Sequence, residues 1–132
     1  MQLQIVTTNR RVLDLEVEEV YMPGVLGQTG ILPDHTTFLT ILEAGEIRYR
    51  ESGRDYFAAV SGGVADVVND NVTILADAAE LAGEINVDRA RVAEKNALAL
   101  LASAEASEAE HKDAQDALAR ARARLNASGR LS

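Results

Sequence analysis

Three arginines fall within five residues near the end of the chain: Arg120, Arg122 and Arg124. Guanidinium groups at that density suit an anion clamp, for a phosphate chain or an acidic protein segment, because each presents a planar fork of donors. Arg120 and Arg124 are four apart and share one face of a helix. Bases near a helix C-terminus also complement its dipole, although three exceed what the dipole requires. The other distinctive stretch is Gly24-Val-Leu-Gly27-Gln-Thr-Gly30-Ile-Leu-Pro33-Asp-His35. A phosphate-binding loop would end in Gly-Lys-Ser/Thr and open a helix. The first lysine of the chain is Lys95, so that reading fails. The three glycines are read instead as tight turns needing positive φ. His35 has no second histidine or nucleophile near it in sequence and reads as a hydrogen-bonding or interface residue. His111 reads as solvated. Glu16, Glu18 and Glu19 fall on the solvent side of a strand or at its end, and no acid/base pair stands out. Ser61-Gly62-Gly63 lacks the nucleophile-elbow pattern. With no cysteine and two histidines, no thiolate or zinc site is expected. These residue types point to binding rather than to catalysis.

The elements that must position them fall into two groups. The chain has 132 residues and a net charge of −8, which argues against nucleic acid as a partner. No apolar run reaches the ~18 residues of a membrane span, and the start lacks a secretory pattern, so an intracellular chain is expected. Residues 1–84 hold eight of the nine glycines, both prolines, five arginines and fourteen acids, for a charge of −9. Residues 85–132 hold fourteen alanines and no proline, for a charge of +1. So sharp a shift marks a change of architecture, and the boundary is placed near Gly83-Glu84.

The first part reads as short strands. Leu3 and Ile5 alternate with Gln2 and Gln4; Leu13, Leu15 and Val17 with Asp14, Glu16 and Glu18; Ile47 and Tyr49 with Glu46, Arg48 and Arg50. Tyr56 to Val60, Val64 to Val68 and Val72 to Ala76 are further strand-length runs. Pro23-Gly24, Ser52-Gly53, Gly62-Gly63 and Asn69-Asp70-Asn71 read as the turns between them. The pattern predicts an antiparallel sandwich or flattened barrel. The second part reads as an antiparallel pair of helices of ~19 residues each. Asn86 caps the first, and Ser107 with Glu110 forms a capping box for the second. Ala90, Ala93, Ala97, Leu101 and Ala104 line one face of the first; Ala114, Ala117, Leu118, Ala121 and Leu125 line the second. Gly129 is the expected stop. Alanine faces bury little area, so this hairpin is either a static appendage or a mobile element.

Taken in order, these segments resemble the epsilon subunit of F-type ATP synthases. The residues that carry the likeness are Pro23-Gly24, Gly27, Gly30-Ile31-Leu32-Pro33 with His35, Val60-Ser61-Gly62-Gly63-Val64, Val72-Thr73-Ile74-Leu75-Ala76-Asp77, Ile85 to Ala90 and Arg120 to Leu125. The likeness covers essentially the whole chain. It implies a β-sandwich of about ten strands over residues 1–84 and an antiparallel helical hairpin over residues 85–132. It implies a non-catalytic rotor subunit of a proton-translocating synthase, bound to the gamma subunit and to the polar loops of the c ring. It implies a hairpin that inhibits ATP hydrolysis when it extends to the alpha/beta hexamer. With no presequence pattern at its start, such a chain is expected peripherally on the cytoplasmic face of a bacterial inner membrane, held through the complex, with an organelle-encoded chain as the alternative.

Some members of the family bind ATP in the folded-down hairpin through Ile/Leu-Asp-x-x-Arg-Ala. Here the matching residues are Ile85, Asn86, Arg89 and Ala90, with Glu80 upstream and Arg120 and Arg124 on the second helix. Asn86 replaces the aspartate and Asn96 replaces a further arginine, so the resemblance implies no required cofactor and at most weak regulatory ATP. Gln28 stands where some members carry a ring-facing acid, and His35 matches a position near the gamma-facing surface. Arg120, Arg122 and Arg124 are the expected contacts to acidic partner segments. The competing readings are an independent ATP-sensing module and a generic sandwich-and-helix adaptor; a small hydrolase lacks an assembled nucleophile or metal set.

Overall fold

Alternating apolar and polar residues set the strands, and the computed structural model describes residues 1–34 and 37–129. Leu3 and Ile5 point inward from β1 (Gln2–Val6), with Gln2 and Gln4 on the other face. The remaining strands are β2 (Arg11–Glu16), β3 (Glu19–Gly24), β4 (Gly27–Ile31), β5 (Phe38–Glu51), β6 (Arg54–Val68), β7 (Asn71–Ala76) and β8 (Ala79–Leu81). They hydrogen-bond in the order β2-β1-β7-β6-β5-β3-β4, with β8 beside β6. Side chains from β1 and β7 share one core with those of β3 and β5, so the sheet closes on itself as a sandwich. Leu3, Ile5, Val20, Met22, Ile31, Ile47, Val72 and Ile74 are fully buried there.

The described residues form eight strands, not about ten. The difference lies in β5 and β6, which have 14 and 15 residues and keep one register from Phe38 opposite Val67 to Glu51 opposite Arg54. Gly62-Gly63 is therefore a bend inside a strand and not a turn between two. Positive φ values of 113° and 148° at these glycines allow the bend, and a Cβ on Gly63 would overlap the carbonyl oxygen of Leu75. The inward parity changes there: Ala58 and Val60 face the core before it, Ala65 and Val67 after it. A second correction concerns strand direction, because β1 pairs with β7 in parallel. A third concerns Pro23-Gly24, which ends β3 rather than forming a turn. The β3–β5 pairing shifts between Tyr21 and Gly24, so the missing N–H of Pro23 falls where the ladder is already interrupted. In the stretch of three glycines only Gly27 has positive φ, at 125°. Gly30 instead leaves room for the Tyr21 ring, which a Cβ would meet at 2.7 Å.

A single turn of 3₁₀ helix, Ala82–Glu84, leads out of the sandwich. The hairpin follows as α1 (Val87–Ala102) and α2 (Glu108–Ser128), of 16 and 21 residues. Asn86 Oδ1 accepts from Arg89 N–H at 3.0 Å and caps α1. Ser107 and Glu110 exchange the two bonds of a capping box on α2. Gly129 caps the C-terminus in right-handed geometry, donating to Leu125 O. The hairpin lies folded against the sandwich. α2 packs on α1, β5 and β6, whereas α1 packs chiefly on α2.

Candidate functional site

The cleft where the hairpin meets the sandwich is built from three elements. β8 supplies Glu80, the start of α1 supplies Asn86, Arg89 and Ala93, and α2 supplies Arg124; together they line a cleft of about 300 Å³. Arg124 Nε lies 3.2 Å from Glu80 Oε1, the ion pair that ties α2 to the sandwich among the described residues. A smaller neighbouring recess of about 160 Å³ holds Arg120 beside Arg124, Glu80 and Ser61. Arg120 makes no ion pair among the described residues. Arg89 and Arg124 against the one carboxylate of Glu80 leave the cleft net cationic, which suits an anion, while Arg120 beside it also borders a cavity lined by Glu43, Asp77 and Asp116. The Asn86 side chain gives its oxygen to the cap and keeps its Nδ2 donors, which an aspartate would not have.

The three arginines of α2 do not act as one cluster. Arg122 turns away toward α1 and pairs with Glu94 at 3.4 Å. Ile85 and Ala90 do not line the cleft: Ile85 packs with Ala59, Ala123 and Ala127 in the seam under α2, and Ala90 is fully buried. Asn96 lies one turn further along α1, on an open face with Asp88, Arg89, Val92 and Ala93. Gln28 sits on β4, in a separate recess with Glu46, Arg48 and Phe57. The Arg48 guanidinium there lies 4.3 Å from the centre of the Tyr21 ring. His35 lies outside the described residues. His111 is not solvated as expected: it is half-buried, with Nε2 2.9 Å from the carbonyl oxygen of Ser103.

The root of the hairpin is held by residues that sequence reasoning did not single out. Arg10, in the turn between β1 and β2, makes two bonds to the Glu84 carboxylate, at 2.9 and 3.1 Å. Glu84 Oε1 also accepts from Leu81 N–H at 3.0 Å. The Arg10 bonds, then the Leu81 N–H, hold the Glu84 carboxyl below its ordinary pKa. These partners are 74 residues apart, and no local spacing announces them. No helix of the described residues is long and apolar enough to cross a membrane.

A sandwich of this topology with a docked two-helix hairpin defines a class that known proteins share. Residues 1–82 match the family model described as the β-sandwich domain of the ATP synthase delta/epsilon chain, and residues 84–129 match its long α-helix domain. The chain is 43% identical over 130 residues to an ATP synthase epsilon chain of Anaeromyxobacter sp. (strain K), covering 98% of both chains. It is 45% identical over 131 residues to the epsilon chain of Gloeobacter violaceus, covering 99% of this chain and 98% of that one. Among solved structures it is similar to a chain of the Euglena gracilis mitochondrial ATP synthase, with a TM-score of 0.81 and 25% identity, covering 96% of this chain and 79% of that one. The chain belongs to the ATP synthase delta/epsilon chain family. It is accordingly a non-catalytic subunit of the synthase's central stalk.

Proposed function

We propose that the chain is a rotor-side coupling element whose sandwich joins the gamma subunit to the polar loops of the c ring, and whose hairpin is a regulatory arm. The complex then holds it peripherally at a proton-translocating membrane, on the cytoplasmic side in a bacterium. The observation that carries the regulatory reading is the seam under the hairpin: α2 rests on Ala59, Ile85 and the partly buried Phe57 through Ala123 and Ala127, with the partly exposed Arg124–Glu80 pair beside them. So little apolar area leaves the docked and released states close in free energy. A released hairpin exposes Arg120 and Arg124 for acidic segments of the alpha/beta hexamer.

The same cleft is the proposed seat of a regulatory nucleotide, with Glu80, Asn86, Arg89, Arg120 and Arg124 around the ligand. Binding is weak, because Asn96 supplies no charge where some family members have arginine. A missing charge-assisted contact costs ~1.5–3 kcal/mol, or ten- to a hundred-fold in affinity. A ligand that binds only the docked form would shift the population toward it.

The direct test compares ATP hydrolysis by the assembled synthase carrying either the full chain or a chain ending at Glu84. Faster hydrolysis with the shortened chain is expected. Equal rates in two fully assembled complexes would remove the inhibitory role. For the nucleotide, the amide spectrum of α1 and α2 is followed up to ~10 mM ATP, which reaches millimolar binding. Shifts at Arg89 and Arg124 are expected, and an unchanged spectrum would end the nucleotide reading.

A further inference from the structure

We propose that His111 is the clasp of the helical hairpin, a positioning residue whose Nε2–H donates to Ser103 O and keeps α1 and α2 closed at their turn. Ser103 is the C-cap of α1, and His111 lies in the first turns of α2, eight residues on. The last carbonyls of a helix lack intrahelical donors and are served by side chains, water or neighbours. α1 carries no basic residue in its last turn. The donor comes instead from the facing helix. His111 is half-buried, while Glu110, Lys112 and Asp113 beside it are exposed.

The geometry also fixes the state of the ring. A carbonyl oxygen offers only lone pairs, so the nitrogen facing it must carry a proton. The neutral ring is therefore the Nε2–H tautomer, and the cation donates through the same atom. Either form faces the negative end of the α1 dipole.

The clasp has work to do because the rest of the α1–α2 seam is poor in directional contacts. Its fully buried members are Ala90 and Ala121, with Ala97 and Ala114 nearly so. Among the described residues the Arg122–Glu94 ion pair also ties the helices, and Arg122 is 55% exposed, so solvent and salt weaken it. Alanine faces permit close approach but specify axial register weakly. A single directed bond at the turn sets that register. The proposal is independent of what the hairpin binds, so its test needs neither nucleotide nor other subunits.

The test starts with nitrogen-15 spectra of the His111 ring in the intact chain at about pH 8.5, above the ordinary histidine range. Nε2 is expected to be the protonated nitrogen; a ring protonated at Nδ1 alone would overturn the proposal. Amide exchange then compares His111→Leu, which has no donor, with His111→Gln, which keeps one at similar reach. In the leucine variant, exchange at Leu98 to Ala102 is expected to rise about fivefold, the size of one ordinary hydrogen bond. The glutamine variant is expected to stay near the native rate, and β6 amides are expected to be unchanged in both. Native exchange in the leucine variant, or glutamine exchanging as fast as leucine, would count against the clasp.

Discussion

The fully buried side chains of the sandwich include Leu3, Ile5, Met22, Ile31, Ile47 and Ile74; those of the hairpin, among the described residues, are Ala90, Ala121 and Ala127. Burying a large aliphatic side chain is worth ~1.5–3 kcal/mol, and a single methyl group roughly 0.8. The sandwich adds a continuous ladder of main-chain bonds across seven strands and β8. The hairpin adds caps, alanine contacts and half-exposed ion pairs. One chain thus carries a region with a large aliphatic core and a region held by small contacts. The seam between them is weak by composition and does not result from a defect of packing.

Four perturbations would break or sharpen that contrast. Ile47→Ala empties a fully buried site in the sandwich. It should cost ~2–5 kcal/mol, and thermal unfolding should show sandwich and hairpin signals lost together. A hairpin that survived the loss of the sandwich would reverse the ranking of the two regions. Ala121→Leu overfills the fully buried α1–α2 seam at ~1–3 kcal/mol. Amide protection should fall in both helices while the melting temperature of the sandwich holds. A matching fall in the sandwich would mean that the two regions are one cooperative unit.

Arg124→Ala removes the tie to Glu80. Both side chains are about one-third exposed or more, so the cost should be ~0.5–1 kcal/mol. It should appear as faster exchange in the last turns of α2, and the difference from the native chain should shrink in about 1 M salt. An equal difference at high salt would show that packing, not charge, was lost. The smallest effect concerns acid. The Glu84 carboxyl titrates lower in the folded chain than its ordinary value of 4.5. Its contribution is therefore complete above that value and is lost as pH falls through the folded value. Exchange around Ala82–Glu84 should accelerate in that acid window, and Glu84→Gln should abolish the step. A step unchanged in the variant would assign it to another carboxyl, such as Asp55, which Arg50 likewise holds low.

Local pattern carried much of this arrangement, and long-range pairing carried the rest. Leu3 and Ile5 declared an inward face, and Asn86, Ser107 and Glu110 declared both helix starts, because period and caps are properties of a few adjacent residues. The glycines misled for the opposite reason. Gly62-Gly63 has turn chemistry, but whether a ladder continues across it depends on partners such as Leu42 and Ala76, far along the chain. In the cleft, Glu80, Asn86, Arg89 and Arg124 were nameable through resemblance to relatives, while their meeting depends on the docking of α2. Ala123 and Ala127 lie off the α2 stripe that period alone selects. They are buried because α2 has a second covered face against the sheet, which its own sequence does not announce. Arg10 and Glu84 gave no local signal at all.

The long β5–β6 ribbon has a mechanical meaning. Fourteen residues of extended chain span up to ~46 Å, and here that length passes through both layers of the sandwich. A load applied to one layer would reach the other along two continuous main chains, not only across side-chain packing. The sandwich is therefore built as one continuous body, and the hairpin beyond Glu84 has no strand in common with it.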